Sequence, residues 1–141
     1  MTRDMLKEYH ELQIAADDVK NHINDCENEL KELEAESLTS DNASGHKKYV
    51  ISGNSARYQS KKTLLMQRKQ HLQQLEKKIA DRSHDVENFI FQIDSIRLQR
   101  IFILRYIDNL PWFKVAMDLG SGSSEEAVRK EHDRYLKSLG L

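Results

Sequence analysis

The chain has 141 residues, 38% hydrophobic and 32% charged, with a formal net charge of -1, so no overall field draws the molecule onto nucleic acid or anionic lipid. One proline and five glycines are too few for a strand-rich fold with many turns, and they suit long helices. The single cysteine, Cys26, excludes an internal disulfide and a multi-cysteine zinc site, and its expected role is that of a small apolar filler.

The first predicted element is a long helix. Met5, Tyr9, Leu12, Ala16, Val19, Ile23, Cys26, Leu30 and Leu33 recur alternately four and three residues apart. Such a heptad seam marks a helix that pairs with another helix. Residues 37–58, SLTSDNASGHKKYVISGNSARY, are rich in Ser, Asn and Gly, which compete with the helix for backbone hydrogen bonds. A long loop is expected at about 38–57, a solvated tip that Tyr49, Val50 and Ile51 could anchor. Lys47 and Lys48 there are a weaker candidate for touching a phosphate.

A second seam runs Leu65, Arg68, Leu72, Leu75, Ile79, Arg82, Val86, Phe89, Ile93, Ile96. The stems of Arg68 and Arg82 can lie along it while their heads reach water. Met1–Ser37 carries four basic and eleven acidic residues, whereas Leu38–Asp85 carries ten basic and four acidic. Opposite charge flanking two seams favours their pairing. An antiparallel hairpin within one chain is the simplest product. Pairing between chains satisfies the same pattern, and a homodimer through the long helices is expected.

Shorter helices follow. Arg97–Ile107 places Leu98, Ile101, Phe102 and Leu104 on a broad apolar face, with Arg97, Arg100 and Arg105 as its basic complement. The sequence DNLP stops it, and Pro111 opens a helix holding Trp112, Val115, Ala116 and Leu119. Trp112 is expected to anchor against the preceding helix. Gly120 sits at a natural C-cap. Ser123 and Glu126 predict a capping box for a last helix, whose Val128, His132, Tyr135 and Leu139 would face the core. The predicted fold is therefore all-α: a long antiparallel coiled-coil hairpin over 1–96, then a compact module of short helices over 97–141.

Two resemblances are carried by that module. LPWFKVAMDLG followed by SSEEAVRKEHDRYLK resembles a helix-turn-helix of the sigma-factor region-four type. It has a small residue where the helices touch (Ala116), glycine at the turn (Gly120) and an aliphatic in the second helix (Val128), and it departs by the extra turn residues 121–123. RYIDNLPWFKVAMDLG resembles the RYI-x-x-x-x-W pattern of ArpU-type transcriptional regulators of Gram-positive bacteriophages. That resemblance implies a long helical N-terminal part before the C-terminal module and a role in controlling late or packaging genes.

The function expected is thus a DNA-binding transcriptional regulator, phage or prophage encoded, acting in the cytoplasm of a bacterial host. Ser124, Glu125, Arg129, Lys130, Asp133 and Arg134 fall away from Val128 or near its edge, with Arg129 and Lys130 placed to reach guanine edges or phosphates. Lys114, Arg134 and Lys137 are candidate phosphate contacts. Against this stands charge: Val86–Leu141 carries eight basic and eight acidic residues, so counterion release contributes little. The alternative is a protein-interaction module that binds RNA polymerase or another phage protein without contacting DNA.

Other chemistry finds little support. GSGSS at Gly120–Ser124 lacks the G-K-[ST] ending of a phosphate loop and follows no strand. The six histidines form no H-x-x-x-H pair, and His132 reads as a packed residue. No nucleophile–base–orienter set is apparent, so neither an enzyme nor a cofactor is expected. No apolar run approaches the ~18 residues of a membrane span, Phe89–Phe91 and Ile101–Leu104 being the longest candidates. The N-terminus MTRDMLKEYH has no signal-peptide core, and a soluble intracellular protein is expected.

Overall fold

The computed structural model describes the backbone at every residue except Gly45, His46 and Ser121, and side chains outside residues 36–55 and 121. The described residues are helical and contain no strand. The elements are α1 (Arg3–Ser44), α2 (Lys47–Phe91), α3 (Ile96–Phe102) running into a π-helical turn (Ile103–Ile107), α4 (Trp112–Leu119) and α5 (Glu125–Ser138). No helix among the described residues is long and apolar enough to cross a membrane. The chain divides into two compact units, residues 15–76 and residues 1–14 with 77–141. This division differs from one at residue 96, because the ends of the long helices pack with the short ones.

In the unit of residues 15–76, α1 and α2 run antiparallel. Contacts step down one helix as they step up the other. Arg68 Nη1 donates to the carbonyl of His22 at 3.1 Å, Cys26 Sγ to the carbonyl of Lys61 at 3.3 Å, and Tyr58 Oη to Glu34 at 3.0 Å. Acid on α1 meets base on α2, as the charge count anticipated: Lys61 pairs with Glu29, and Lys69 lies 4.0 Å from Glu27. Lys61 holds the Glu29 carboxyl below its ordinary range by hydrogen bond and charge. Such exposed pairs contribute little to stability, so they favour this pairing more than they strengthen it. The seam between them buries Ala16, Ile23, Cys26, Leu30 and Leu33, with Leu75 from α2. The predicted seams therefore meet within one chain.

Both helices continue into the stretch where a loop over 38–57 is expected, α1 to Ser44 and α2 from Lys47. Nucleating a helix is costly but propagating one is not, so two established helices can extend through residues of modest propensity. The expected roles of Lys47, Lys48, Tyr49, Val50 and Ile51 lie outside the described side chains.

The other unit is the larger core. Leu6 and Tyr9 of α1, Val86 and Ile90 of α2, Ile101 and Phe102 of α3, Val115 and Leu119 of α4, and Val128 and Leu136 of α5 are all buried. Phe102 is fully buried: it stacks on the His132 ring with centroids 4.8 Å apart, and Phe89, Tyr106 and Tyr135 meet it at 5.6–6.0 Å. Arg82 reaches across from α2 to Glu8 at 3.0 Å, so its head also pairs with α1. Arg68 does the same in its own unit.

Local chemistry sets the ends of the short helices. α2 stops at Phe91, and Ser95 caps α3 by accepting from Leu98 N–H at 3.3 Å. The second seam is therefore broken before Ile96, which is 76% exposed. Pro111 opens α4 as expected, its carbonyl accepting from Lys114 and Val115 N–H. Gly120 ends α4 at φ 69°, ψ -158°, a conformation that a side chain disfavours.

Two expectations about α5 are corrected. Its cap is Ser124, which accepts from Ala127 N–H at 3.1 Å, and not Ser123. Ser123 instead accepts from Arg97, while Glu126 pairs one turn on with Lys130 at 3.0 Å. The buried face is Val128, His132 and Leu136, with Tyr135 half-buried and Leu139 exposed. Leu139 fails to pack because the helix has ended: Gly140 at φ 79° lets the Leu141 N–H close on the Leu136 carbonyl at 2.9 Å.

These assignments can be tested by urea unfolding. Ser124→Ala should destabilise the protein by about 1 kcal/mol and Ser123→Ala by less than about 0.5 kcal/mol. Phe102→Ala should lose about 3–5 kcal/mol.

Candidate nucleic-acid interface and the cleft beside it

α4 and α5 pack against α3 and each other, with Val115, Ala116, Leu119 and Val128 buried. Val128 is fully buried and Ala116 nearly so. Arginines of α3 fasten the module from outside. Arg97 makes a two-pronged contact with Glu131 at 3.0 and 3.3 Å, and Arg100 Nη2 donates to the Asp118 carbonyl in the last turn of α4 at 3.4 Å. The predicted basic complement of this helix is therefore largely spent on internal contacts.

All eight predicted contact residues, Ser124, Glu125, Arg129, Lys130, Asp133, Arg134, Lys114 and Lys137, are exposed. Five of them, Ser124, Glu125, Arg129, Lys130 and Asp133, line one shallow groove with Glu126. Arg134 lies round the helix, its Nε donating to the Lys130 carbonyl at 3.4 Å, while Lys137 and the α4 residue Lys114 stand outside the groove. The groove holds two cations against three carboxylates. Lys130 is paired with Glu126, and Asp133 lies 3.8 Å from Arg3. Arg129 has no hydrogen bond or ion pair among the described residues. Arg129 and Lys130 both stand outward, yet the field around them is close to neutral.

α5 is seated by a chain of polar contacts. The Tyr106 hydroxyl and His132 Nε2 are 2.7 Å apart, and His132 Nδ1 and Asp133 Oδ1 are 3.0 Å apart. Burial, aided by Arg105 and Arg3, pushes the His132 pKa down and outweighs the opposing pull of Asp133. A neutral ring then donates from Nδ1 to Asp133 and accepts from the Tyr106 hydroxyl. Burial raises Tyr106 to about 12. This Tyr–His–Asp chain ties the π-helical turn to α5.

Beside the groove, on the α1 side of α5, opens a cleft of about 340 Å³. Arg3, Lys7 and His10 of α1 form one wall, Arg105, Tyr106 and Trp112 another, and Arg129 and His132 of α5 a third. Its floor depends on the π-helical turn. The Asp108 N–H bonds the Ile103 carbonyl at 2.9 Å, and Asn109 turns the chain at φ 57°. The last carbonyls of the turn then need other donors. α1 supplies them: Gln13 Nε2 donates to Tyr106 O at 2.7 Å, and His10 Nδ1 lies 3.1 Å from Arg105 O. Trp112 is half-buried, edge-on to His132 at 4.8 Å, with the Arg105 guanidinium 4.5 Å above its ring. It anchors as expected, but to α5 as well as to the helix before it.

No protein-family model, curated protein or solved structure matches this chain.

Sequence reasoning missed Arg3, Lys7 and His10, which lie more than ninety residues from their neighbours in the cleft. Their local signal is that of a solvated helix face, and only Leu6 between them, fully buried, marks a second contact surface on α1. Three residues of the quoted RYI-x-x-x-x-W pattern, Arg105, Tyr106 and Trp112, end on this cleft.

The buried imidazoles set a pH dependence. His10, like His132, has its pKa lowered mainly by burial. The folded state therefore binds fewer protons than the unfolded chain, and stability falls as pH drops through the ordinary histidine value of 6.5. Melting temperature should decline between about pH 7.5 and about pH 5.5, and His132→Gln should flatten that decline while lowering stability at neutral pH.

Proposed function

We propose that this protein is a DNA-binding regulator of transcription, related to the ArpU-type phage regulators and acting on late genes in the cytoplasm of a bacterial host. It is proposed as a binding protein rather than an enzyme. One observation carries the reading: α5 is fixed from behind by Val128, His132 and Leu136 while Arg129, Lys130 and Ser124 stand outward on its N-terminal half. A recognition helix needs such a rigid back and a polar front, with its first turns free to enter the major groove. Arg129, without an ion pair among the described residues, has its guanidinium fork available for a guanine edge or a phosphate. Lys114, Arg134 and Lys137 would supply outlying phosphate contacts, and a second copy of the chain would double them. A homodimer through the long helices would use surfaces other than the buried seam residues Ala16, Ile23, Cys26, Leu30, Leu33 and Leu75.

A second reading has its own support. The groove is near neutral, and α4 exposes Phe113 and Met117 one turn apart, at 55% and 71%. In this reading the module docks on RNA polymerase or another phage protein without touching DNA.

Selection from a random duplex library, followed by gel shift, separates the two. For the regulator, a discrete sequence is enriched, and Arg129→Ala weakens its binding by about 1–3 kcal/mol if it reads a base. Arg129→Ala/Lys130→Ala should abolish the preference and make the salt dependence shallower. No enrichment, or equal shifts by wild type and double variant, overturns the DNA reading.

A further inference from the structure

We infer that the cleft between α1, the π-helical turn and α5 is a binding site for a phosphoryl group. The inference does not rest on the DNA reading: it concerns the cleft rather than the outward groove, which share only Arg129, and it needs no duplex.

Four side chains that line the cleft are cationic, Arg3, Lys7, Arg105 and Arg129, against Asp4 and Glu11. The cations come from three separate elements. Helix pairing alone would not concentrate like charge in this way, because convergence of cations is repulsive unless something anionic joins them. Arg3 is already engaged: it pairs with Asp133 at 3.8 Å and donates to the Leu141 and Asp133 carbonyls at 2.9 and 3.1 Å. The side chains of Lys7 and Arg129 have no ion pair or hydrogen bond among the described residues. Neither Asp4 nor Glu11 pairs with any cation within 4.0 Å among those residues.

Arg105 is the most telling member. It is half-buried, donates to the Leu110 carbonyl at 3.1 Å, and lies over the Trp112 ring, with no carboxylate partner among the described residues. Burial chiefly disfavours its charge, Tyr106 opposes that and the nearby Arg129 adds to it, yet a guanidinium does not give up its proton in a protein. A partly dry, permanent cation with another cation beside it is stabilised by a bound anion.

The chemistry selects phosphoryl over a lone carboxylate. A phosphoryl group offers three oxygens and up to two charges, which suits guanidinium forks approaching from different sides with a lysine between them. A volume of about 340 Å³ exceeds what one carboxylate fills. The donor could belong to a free anion or to a phosphodiester of a nucleic acid, and the shared chemistry is the claim here.

Trp112, the only tryptophan, lines the cleft and reports on it directly. The full chain is titrated with sodium pyrophosphate, and separately with a short duplex of random sequence. Trp112 emission and heat release are followed at constant ionic strength, with sodium chloride as control. Saturable changes with pyrophosphate at up to millimolar concentration, absent with chloride, are expected for a free anion. Saturable changes with the duplex alone identify a phosphodiester. In either case Lys7→Gln, which lies off the outward groove of α5, should weaken the effect at least about tenfold, while Lys130→Gln, on that groove, should leave the pyrophosphate response unchanged. Circular dichroism checks that the variants are folded. Neither heat nor emission change with either probe overturns the inference, as does an undiminished response in folded Lys7→Gln/Arg129→Gln. Loss of sequence preference in the selection experiment leaves the pyrophosphate result untouched, so the two readings fail separately.

Discussion

Phe102 lies face to face with the ring of His132 and against Phe89, Tyr106 and Tyr135, so residues of α2, α3, the π-helical turn and α5 meet at one fully buried side chain. The orientation of α5 follows from this packing. His132 cannot rotate away without breaking the stack and its contacts to Tyr106 and Asp133. With His132 inward, Val128 and Leu136 are carried inward by helical period, and Arg129 and Lys130 are carried out. Keeping the imidazole neutral is part of the same constraint, because a buried charge there would face Arg105 and Arg3.

The π-helical turn is the second consequence. A chain that must bring Phe102 and Tyr106 to the same cluster and then reverse at Asn109 leaves carbonyls at Arg105 and Tyr106 facing α1. His10 and Gln13 take up that demand, which seats the first turns of α1 beside α5. The arrangement brings Arg3 and Lys7 to Arg105 and Arg129, and the cleft exists because of it. Positive charge in this unit is thus unevenly used. Arg97 and Arg100 are committed to Glu131 and the end of α4, while the cleft keeps cations that its own carboxylates leave unpaired.

Much of the helical plan was legible because its signals are local. The alternation of four and three spacings on α1 named Ala16, Ile23, Cys26, Leu30 and Leu33, and these are buried. Pro111 and Gly120 mark the ends of α4 by their backbone chemistry alone. The misreadings are also physical. Ser123 and Ser124 are equally good caps in sequence, and the choice fell to Ser124 because Arg97 engages Ser123. Leu136 and Leu139 are one turn apart, and the Gly140 turn ended the helix in favour of Leu136. Helix runs to Ser44 and again from Lys47, inside the stretch where a loop is expected, because weak propensity does not stop a helix that is already propagating.

The sequence by itself determined the all-α character, the acidic and basic identities of the paired helices and the outward position of Arg129 and Lys130. Each of these is written in a period or a charge count that does not depend on distant residues. Tertiary structure alone decided where Arg3, Lys7 and His10 belong, which arginines are spent on internal contacts and that a cationic cleft opens beside α5. Those outcomes depend on which faces of separate helices meet, and a helical period says which residues share a face but not what that face will touch.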